Sequence, residues 1–488
     1  MKPQITLQQT ARRLEGDTDT PISLFLKNPQ GILLESAEVD GRWGQYSVLA
    51  SAFLLTLHCR DGRLALDIAD ERLAPLAAFE GLPFMEGLRE VMRAVTITPA
   101  APAPPPITRG LYGYLGYGVS AFTVARLART LPVQDAEACL VLPGQVLLYD
   151  HLYNRLMEIG IEGTAARGDA RPPVDKTPVI GEVVETPGRE AYLRQVERIR
   201  DLLRQGEAIQ VVLSMRCEAA FEGDPFALYR RLRQSNPSPY MFYMDLPGGV
   251  LMGASPELMI RCKANSLQLS PIAGTRPRGK TDEEDALLAA DLLQDPKEHA
   301  EHLMLVDLGR NDLGRIAQMG TVRVDRQMEV ERFSHVMHLT SRISAQLDPK
   351  HDAVDVIQAT FPAGTVSGAP KVRAQEIIAE IEAAPRGPYA GCLGWVGLDK
   401  DTVNMDLGIM IRSLWIRDGK IHWQSGAGIV YDSVPEREYA ECLNKAAVIR
   451  GLFGGPGRDD STTGLQDSGT TIVSRSPAVP PSQLETKN

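Results

Sequence analysis

The sequence predicts an α+β protein, and three observations carry that prediction. Apolar runs of strand length recur in the first third of the chain, as in "YSVLASAFLLTLHC" (46–59) and "QVLLYDHLYNRLMEIGI" (145–161). "EAYLRQVERIRDLLRQGE" (190–207) instead spaces its apolar residues three and four apart and ends beside a glycine, the pattern of an amphipathic helix. The chain has 488 residues, 43% of them hydrophobic, which suffices for one large or two ordinary cores.

Taken in order, "MKPQITLQQTARRLEGD" has no apolar signal core, and no later segment has the length and apolarity of a membrane span. Residues 1–162 form an N-terminal part, mixed helix and strand over 22–160. The proline-rich "APAPPPITRG" (101–110) interrupts it as an extended loop. The polar stretch 163–190 is the expected linker. Strands and helices alternate through a second part, 191–455. The tail, 456–488, is rich in Gly, Ser, Thr, Asp and Pro and is expected to be disordered.

Composition removes some function classes. A net charge of −10 argues against a broadly basic nucleic-acid surface, though a local basic pocket is compatible with it. Six cysteines stand singly, without Cys-x-x-Cys. That argues against a disulfide framework or structural zinc and suits a reducing, cytoplasmic setting with no membrane partner.

Three constellations carry chemical content. Glu298 and Glu301 in "DPKEHAEHLMLVDLGRND" share a helix face at i,i+3. Glu438 and Glu441 in "PEREYAECLNKA" do the same, with Lys445 one turn on. Each pair reads as a solvated helix face, the commoner case, or as part of a hard-cation site. "FPAGTVSGAPKVRAQEII" (361–378) offers backbone N–H groups near a helix start with Pro370 in the first turn. It suits an anionic group, or is simply a tight strand-to-helix turn. In "QSGAGIVYDS", Gly426 and Gly428 bring bare backbone to a ligand, or mark a bulge. "YAGCLGWVG" is superficially similar to the nucleophile turn of glutamine amidotransferases. It lacks that turn's first Gly and its His-Gln, so Cys392 reads as a small apolar strand residue.

With "GILLESAEVD", "EAIQVVLSMR", "NPSPYMFYMD", "GASPE", "SPIAGTRPRG", "HVMHL", "GPYAGCLGW" and "IMIRS", these stretches resemble the chorismate-utilising enzymes, most closely the large subunits of anthranilate synthases. The resemblance covers the chain to about Leu452. It implies two packed antiparallel β-sheets flanked by helices, with the N-terminal part interleaved. It implies Mg2+, held by Glu301 and Glu441 against the ring carboxylate of chorismate with Glu298 and Glu438 in support. Thr365, the backbone of Gly426, Ala427 and Gly428, and Lys445 complete that pocket by resemblance. Arg412 and Tyr389 hold the enolpyruvyl carboxylate. Glu257 is the general acid for the departing ring hydroxyl, a role that needs a raised pKa. His338 assists there, although alone it reads as a satisfied strand histidine.

Two positions speak to the nucleophile. Relatives that activate water carry lysine where this chain has Gln210, which is no base, so ammonia is the expected nucleophile. Relatives that make aminodeoxychorismate carry a lysine nucleophile where this chain has Ala273. The chain has no amidotransferase part, so the resemblance implies a separate glutaminase subunit as ammonia donor, in a heterotetramer. Tryptophan is the implied feedback inhibitor, held by Glu35, Ser36, Pro239, Tyr240, Met241, Leu393 and Trp395. Tyr46 stands where some relatives have lysine. The cations Arg276, Arg278 and Lys280 are left to shape the loop or the field around an anionic substrate. The alternatives are an aminodeoxychorismate or aminodeoxyisochorismate synthase, or a catalytically silent tryptophan-binding regulator.

Overall fold

The computed structural model describes residues 2–16, 18–27, 31–36, 44–164, 177–333 and 336–453. Residues 165–176 of the expected linker and the expected tail, 456–488, lie outside the described residues. Among the described residues, no helix is long and apolar enough to cross a membrane.

Two long strands decide the architecture. Tyr46–Arg60 and Ala138–Asp150 run antiparallel along most of their length, and their register shifts between Phe53 and Leu55. Each strand serves two sheets, one on either side of that shift. In the first sheet, Gln210–Glu222, Lys420–Ile429, Ser413–Arg417, Gly249–Ser255, Tyr240–Leu246 and Ile32–Glu35 pair in that order. Ile32–Glu35 then joins the Tyr46 end of the long pair. In the second, Gly110–Leu115 joins the Ala138 end. Cys392–Gly397, Met405–Ile409, Leu258–Lys263, Ser266–Leu269 and Val336–Gln346 follow. These pairings are antiparallel and form the two sheets the sequence predicts. In each sheet strands of the N-terminal part form one end and strands from beyond residue 190 the other, joined at Ile32–Glu35 with Tyr240–Leu246 and at Gly110–Leu115 with Cys392–Gly397. A single core joins both sheets, with Leu33 and Phe242 from the first and Ile260 and Leu393 from the second.

Helices flank the sheets. Arg189–Arg204 forms where the 3.6-residue spacing predicts it, burying Tyr192, Val196, Ile199 and Leu203. The stretch expected as a linker is partly sheet. Val179–Ile180 and Val184–Thr186 pair with the outer end of Gln210–Glu222, covering what would be a bare strand edge. All six cysteines are buried and free, and burial pushes the Cys392 thiol well above its ordinary pKa, as an inert strand residue requires.

Candidate active site

The open ends of the two sheets and two helices enclose a cavity of about 540 Å³. One helix, Pro296–Gly314, starts at Asp295, whose side chain accepts from the N–H groups of Lys297 and Glu298. Its cavity face carries Glu298, Glu301 and Leu305. The other, Pro435–Arg450, opens on a first-turn proline and turns Glu438, Glu441 and Lys445 inward. The spacing of three and four residues puts each set on one face.

Glu257 closes the floor. It follows the Gly249–Ser255 strand, and its carbonyl accepts from Ile409 N–H at 3.0 Å. Burial pushes its carboxyl up to about 7, with Thr365, Lys445 and Arg412 pulling the other way. Arg412 adopts a left-handed φ of 49°, a conformation costly for a non-glycine residue and held here because Ala254 N–H donates to its carbonyl at 3.1 Å. Burial lowers the pKa of its guanidinium, which has no hydrogen-bond partner among the described residues. Thr365 Oγ1 is also buried, with Glu257 as the neighbour whose charged form it favours.

Two glycines make one wall bare. On Lys420–Ile429, a Cβ at Gly426 would lie 2.7 Å from Tyr389 Oη, and one at Gly428 would lie 2.5 Å from Gln210 Nε2. Ala427 between them is fully buried and absent from the cavity wall, so only its main chain is available. The same alternation brings Gln424 to the wall, a residue the sequence reading missed although it sits two positions before Gly426.

The carboxylates have the donor chemistry of a hard-cation site. Glu298 is pushed up by burial and by Glu301, and Glu438 by burial and by Glu441, while Lys297 beside both pairs and Lys445 beside Glu438 pull the other way. They are not drawn into one cluster: among the described residues no three acidic, His or Cys side chains form a metal-ligand group. Glu301 Oε1 accepts from Gln210 Nε2 at 3.2 Å, and Glu441 Oε1 pairs with Lys445 Nζ at 2.7 Å. Lys445 also donates to Gly426 O at 2.9 Å.

His338 stands behind the wall. Its Nδ1 lies 2.8 Å from Gly274 O, an acceptor only, so Nδ1 carries the proton and Nε2 is left as an acceptor. Burial lowers its pKa, keeping the ring neutral. The ring orders Gly274 and Thr275, which do line the cavity. Ala273 is buried between lining residues Ile272 and Gly274 and is not on the wall.

The cations after Ala273 face elsewhere. Arg276 pairs with Asp291 at 2.7 Å and Asp295 at 2.8 Å, and comes within 3.8 Å of Glu298. Arg278 pairs with Asp285 at 2.7 Å, as does Arg332. Lys280 contributes its backbone N–H to Glu284. They clamp the acidic Asp282–Gln294 helix rather than shaping a field for an anion. Lys371 likewise turns from the Gly364–Ser367 loop to pair with buried Asp312 and with Thr360 O.

The expected inhibitor residues lie on neighbouring strands: Met241 is paired with Glu35, and the Tyr240 ring reaches Gly408 and Asp406, the partners of Leu393 and Trp395. The Glu35 carboxylate accepts from Tyr229 Oη at 2.8 Å and from Arg233 at 3.1 and 3.3 Å. Tyr240 Oη donates to Asp406 at 2.7 Å. Pro239 and Tyr240 line a separate small cavity with Pro256, Leu258 and Ile272, whose wall includes none of Glu35, Ser36, Met241, Leu393 and Trp395. Met241 lies opposite Glu35 across two strands, while Leu393 and Trp395 lie on the strand paired with Gly408 and Asp406.

A family model described as chorismate binding enzyme matches residues 56–451. The chain belongs to the chorismate binding enzyme family. It is 41% identical over 463 residues to anthranilate synthase component 1 of Aquifex aeolicus, covering 89% of this chain and 92% of the relative. With the protein of the same name from Thermus thermophilus it shares 40% identity over 459 residues, 89% and 95% of the two chains. The crystal structure of anthranilate synthase component I from Streptococcus pneumoniae superposes with a TM-score of 0.70 at 32% identity, covering 90% of this chain and 99% of that one. The fold extends to the menaquinone-specific isochorismate synthase of Escherichia coli, with a TM-score of 0.67, 20% identity and coverage of 93% and 96%.

Proposed function

We propose that this member of the family is the large subunit of an anthranilate synthase, converting chorismate and ammonia to anthranilate and pyruvate. The observation that carries the reading is the placement in one cavity of buried Glu257, its carboxyl pushed up to about 7, with Arg412, whose guanidinium makes no hydrogen bond among the described residues. An acid with a pKa of about 7 is ready to donate a proton near neutral pH, and a free guanidinium awaits a carboxylate. The relatives' names support the same reading.

The residues divide the work. Arg412 and Tyr389 take the enolpyruvyl carboxylate; Thr365 and the Gly426–Gly428 backbone take the ring carboxylate, with Lys445 adding charge. Ammonia attacks the ring carbon beside the carboxylate-bearing one, the double bonds shift, and the ring hydroxyl leaves as water with the Glu257 proton. A base then removes the ring proton at the aminated carbon, and the enolpyruvyl group departs as pyruvate. His338 assists in that elimination from behind the wall, by holding Gly274 and Thr275 in place at the cavity. Glu301 and Glu441, with Glu298 and Glu438, would hold Mg2+, which supplies charge stabilisation and orientation for the ring carboxylate when bound. Gln210 offers no base for water, which favours ammonia, and a glutaminase partner is the proposed source.

Feedback by tryptophan through Glu35, Ser36 and the Pro239–Met241 segment belongs to the same proposal. It requires the ligand's amino group to compete with Tyr229 and Arg233 for Glu35. The test is incubation of the purified chain with chorismate, Mg2+ and ammonium, with the product identified by mass and fluorescence. Anthranilate supports the reading; isochorismate, salicylate or a para-amino product overturns it. At constant free ammonia, kcat/KM for chorismate should fall as pH rises through about 7, where Glu257 loses its proton. Tryptophan without effect on the rate would remove the regulatory part alone.

A further inference from the structure

Arg386 is 3% exposed and does not line the catalytic cavity, yet its contacts converge on residues that do. Its Nη1 donates to Val366 O at 2.8 Å and its Nη2 to Val212 O at 2.7 Å. Val366 follows Thr365 in the carboxylate loop, and Val212 lies on the strand that pairs with Gly428. Both line the cavity. The guanidinium faces the Tyr389 ring, 5.7 Å from its centroid, and on the N-terminal part it faces Tyr117 at 4.7 Å.

The cation is compensated within the same network. Glu382 accepts from Arg386 Nε at 2.8 Å and from Nη2 at 2.6 Å. It also accepts from Ser214 N–H at 2.9 Å and Oγ–H at 2.7 Å, and Ser214 Oγ accepts from Gln424 Nε2 at 2.7 Å. Gln424 is again a wall residue. A planar fork with donors in fixed directions can hold two carbonyls and a carboxylate at once while its faces contact rings; a lysine ammonium cannot.

We infer that Arg386 is the positioning residue of the substrate cavity: one guanidinium sets the spacing of the 364–367 loop from the 210–222 strand and the placement of Tyr389. It acts through those groups and touches no substrate. The inference rests on the proposed role of Thr365 and Tyr389 in holding the chorismate carboxylates. It also ties the N-terminal part to the catalytic wall, since Tyr117 N–H donates to Gly387 O at 2.9 Å beside the stacked ring.

The test compares wild type with Arg386→Lys, which keeps the charge opposite Glu382 but loses the fork, well below the melting midpoint of both. KM for chorismate should rise about 10-fold or more with kcat within a few-fold, the pattern of lost ground-state positioning. Arg386→Ala should show a larger rise that millimolar guanidinium, but not methylammonium, reverses. Tyr117→Leu, which removes one ring and no hydrogen bond to Arg386, gives a smaller rise in KM and keeps the question open to measurement if the arginine variants do not fold. A lower melting midpoint with unchanged KM in Arg386→Lys and Tyr117→Leu would overturn the inference. Chorismate binding measured by calorimetry separates the two levels. Wild type that binds chorismate without making anthranilate defeats the proposed reaction, while the ratio of dissociation constants still decides the role of Arg386.

Discussion

The candidate cavity, where Arg412 stands among glutamates, and the clamp of arginines around the acidic Asp282–Gln294 helix treat charge in opposite ways. In the clamp Arg276, Arg278 and Arg332 each meet a carboxylate, and Asp285 is held well below the usual range by Arg278, the Gly279 N–H and Arg332. In the cavity Arg412 has no hydrogen-bond partner among the described residues, and burial drives Glu257 toward its neutral form. Folding satisfies the first set and leaves the second unsatisfied. A buried charge without a partner is costly, so such groups persist where a ligand completes them. The same rule separates Glu257 from Glu35, whose carboxylate Tyr229 and Arg233 already satisfy.

The contrast breaks most visibly at Glu257. Glu257→Gln should lower kcat by about 10²–10⁴-fold, the usual worth of a general acid, measured as anthranilate formation at saturating chorismate and ammonia. The same variant should be the more stable protein at alkaline pH. The folded pKa of about 7 lies above the ordinary 4.5, so the wild type loses stability as pH climbs between those values, and the full cost is present above about 7. The difference is at most about 3 kcal/mol. It should be read as a melting midpoint higher than wild type near pH 8 and equal to it near pH 4; equal midpoints at both would place Glu257 with the satisfied acids.

Arg412→Ala comes next. Losing charge-assisted bonds to a substrate carboxylate should raise KM for chorismate by about 10–100-fold. No side-chain hydrogen bond among the described residues is lost with it, so thermal unfolding should show no large drop. A large drop in midpoint would mean that Arg412 serves the fold.

Asp285→Asn should do the reverse, lowering the melting midpoint with kcat and KM unchanged. The wild-type clamp is at full strength above the ordinary carboxylate pKa of 3.8 and weakens as pH falls below it toward the depressed folded value. A melting series from neutral to acid pH should therefore show the variant's deficit shrinking on acidification. Lys280→Ala should change stability by no more than about 0.5 kcal/mol, because only the backbone of Lys280 is used in the clamp.

Legibility in the sequence followed local periodicity. Glu298 with Glu301, and Glu438 with Glu441 and Lys445, were readable because a helix puts residues three and four apart on one face. Gly426 and Gly428 were readable as bare backbone, and strand alternation from them would have found Gln424. The partners of Arg276 and Arg278 were not readable, because their acids follow on a helix whose direction only packing decides. Arg386 left no signal at all. Val212 and Val366 meet it through main-chain carbonyls, which no side-chain pattern reports, and Tyr117 lies some 270 residues away in the chain.

The two-sheet arrangement was implied by the resemblance to the chorismate-utilising enzymes; residue types and their spacing determined the mixture of strands and helices, the helix faces that carry the carboxylates, the inert character of Cys392 and the absence of a lysine at positions 210 and 273. These depend on residue type and on repeats of two and 3.6 residues, which are properties of neighbours in the chain. Only the tertiary structure decided which charges are left for a ligand. Satisfaction of a buried group depends on partners brought from distant strands and helices, and burial itself, which drives Glu257 toward its neutral form and leaves Arg412 waiting, exists only once both sheets have closed around them.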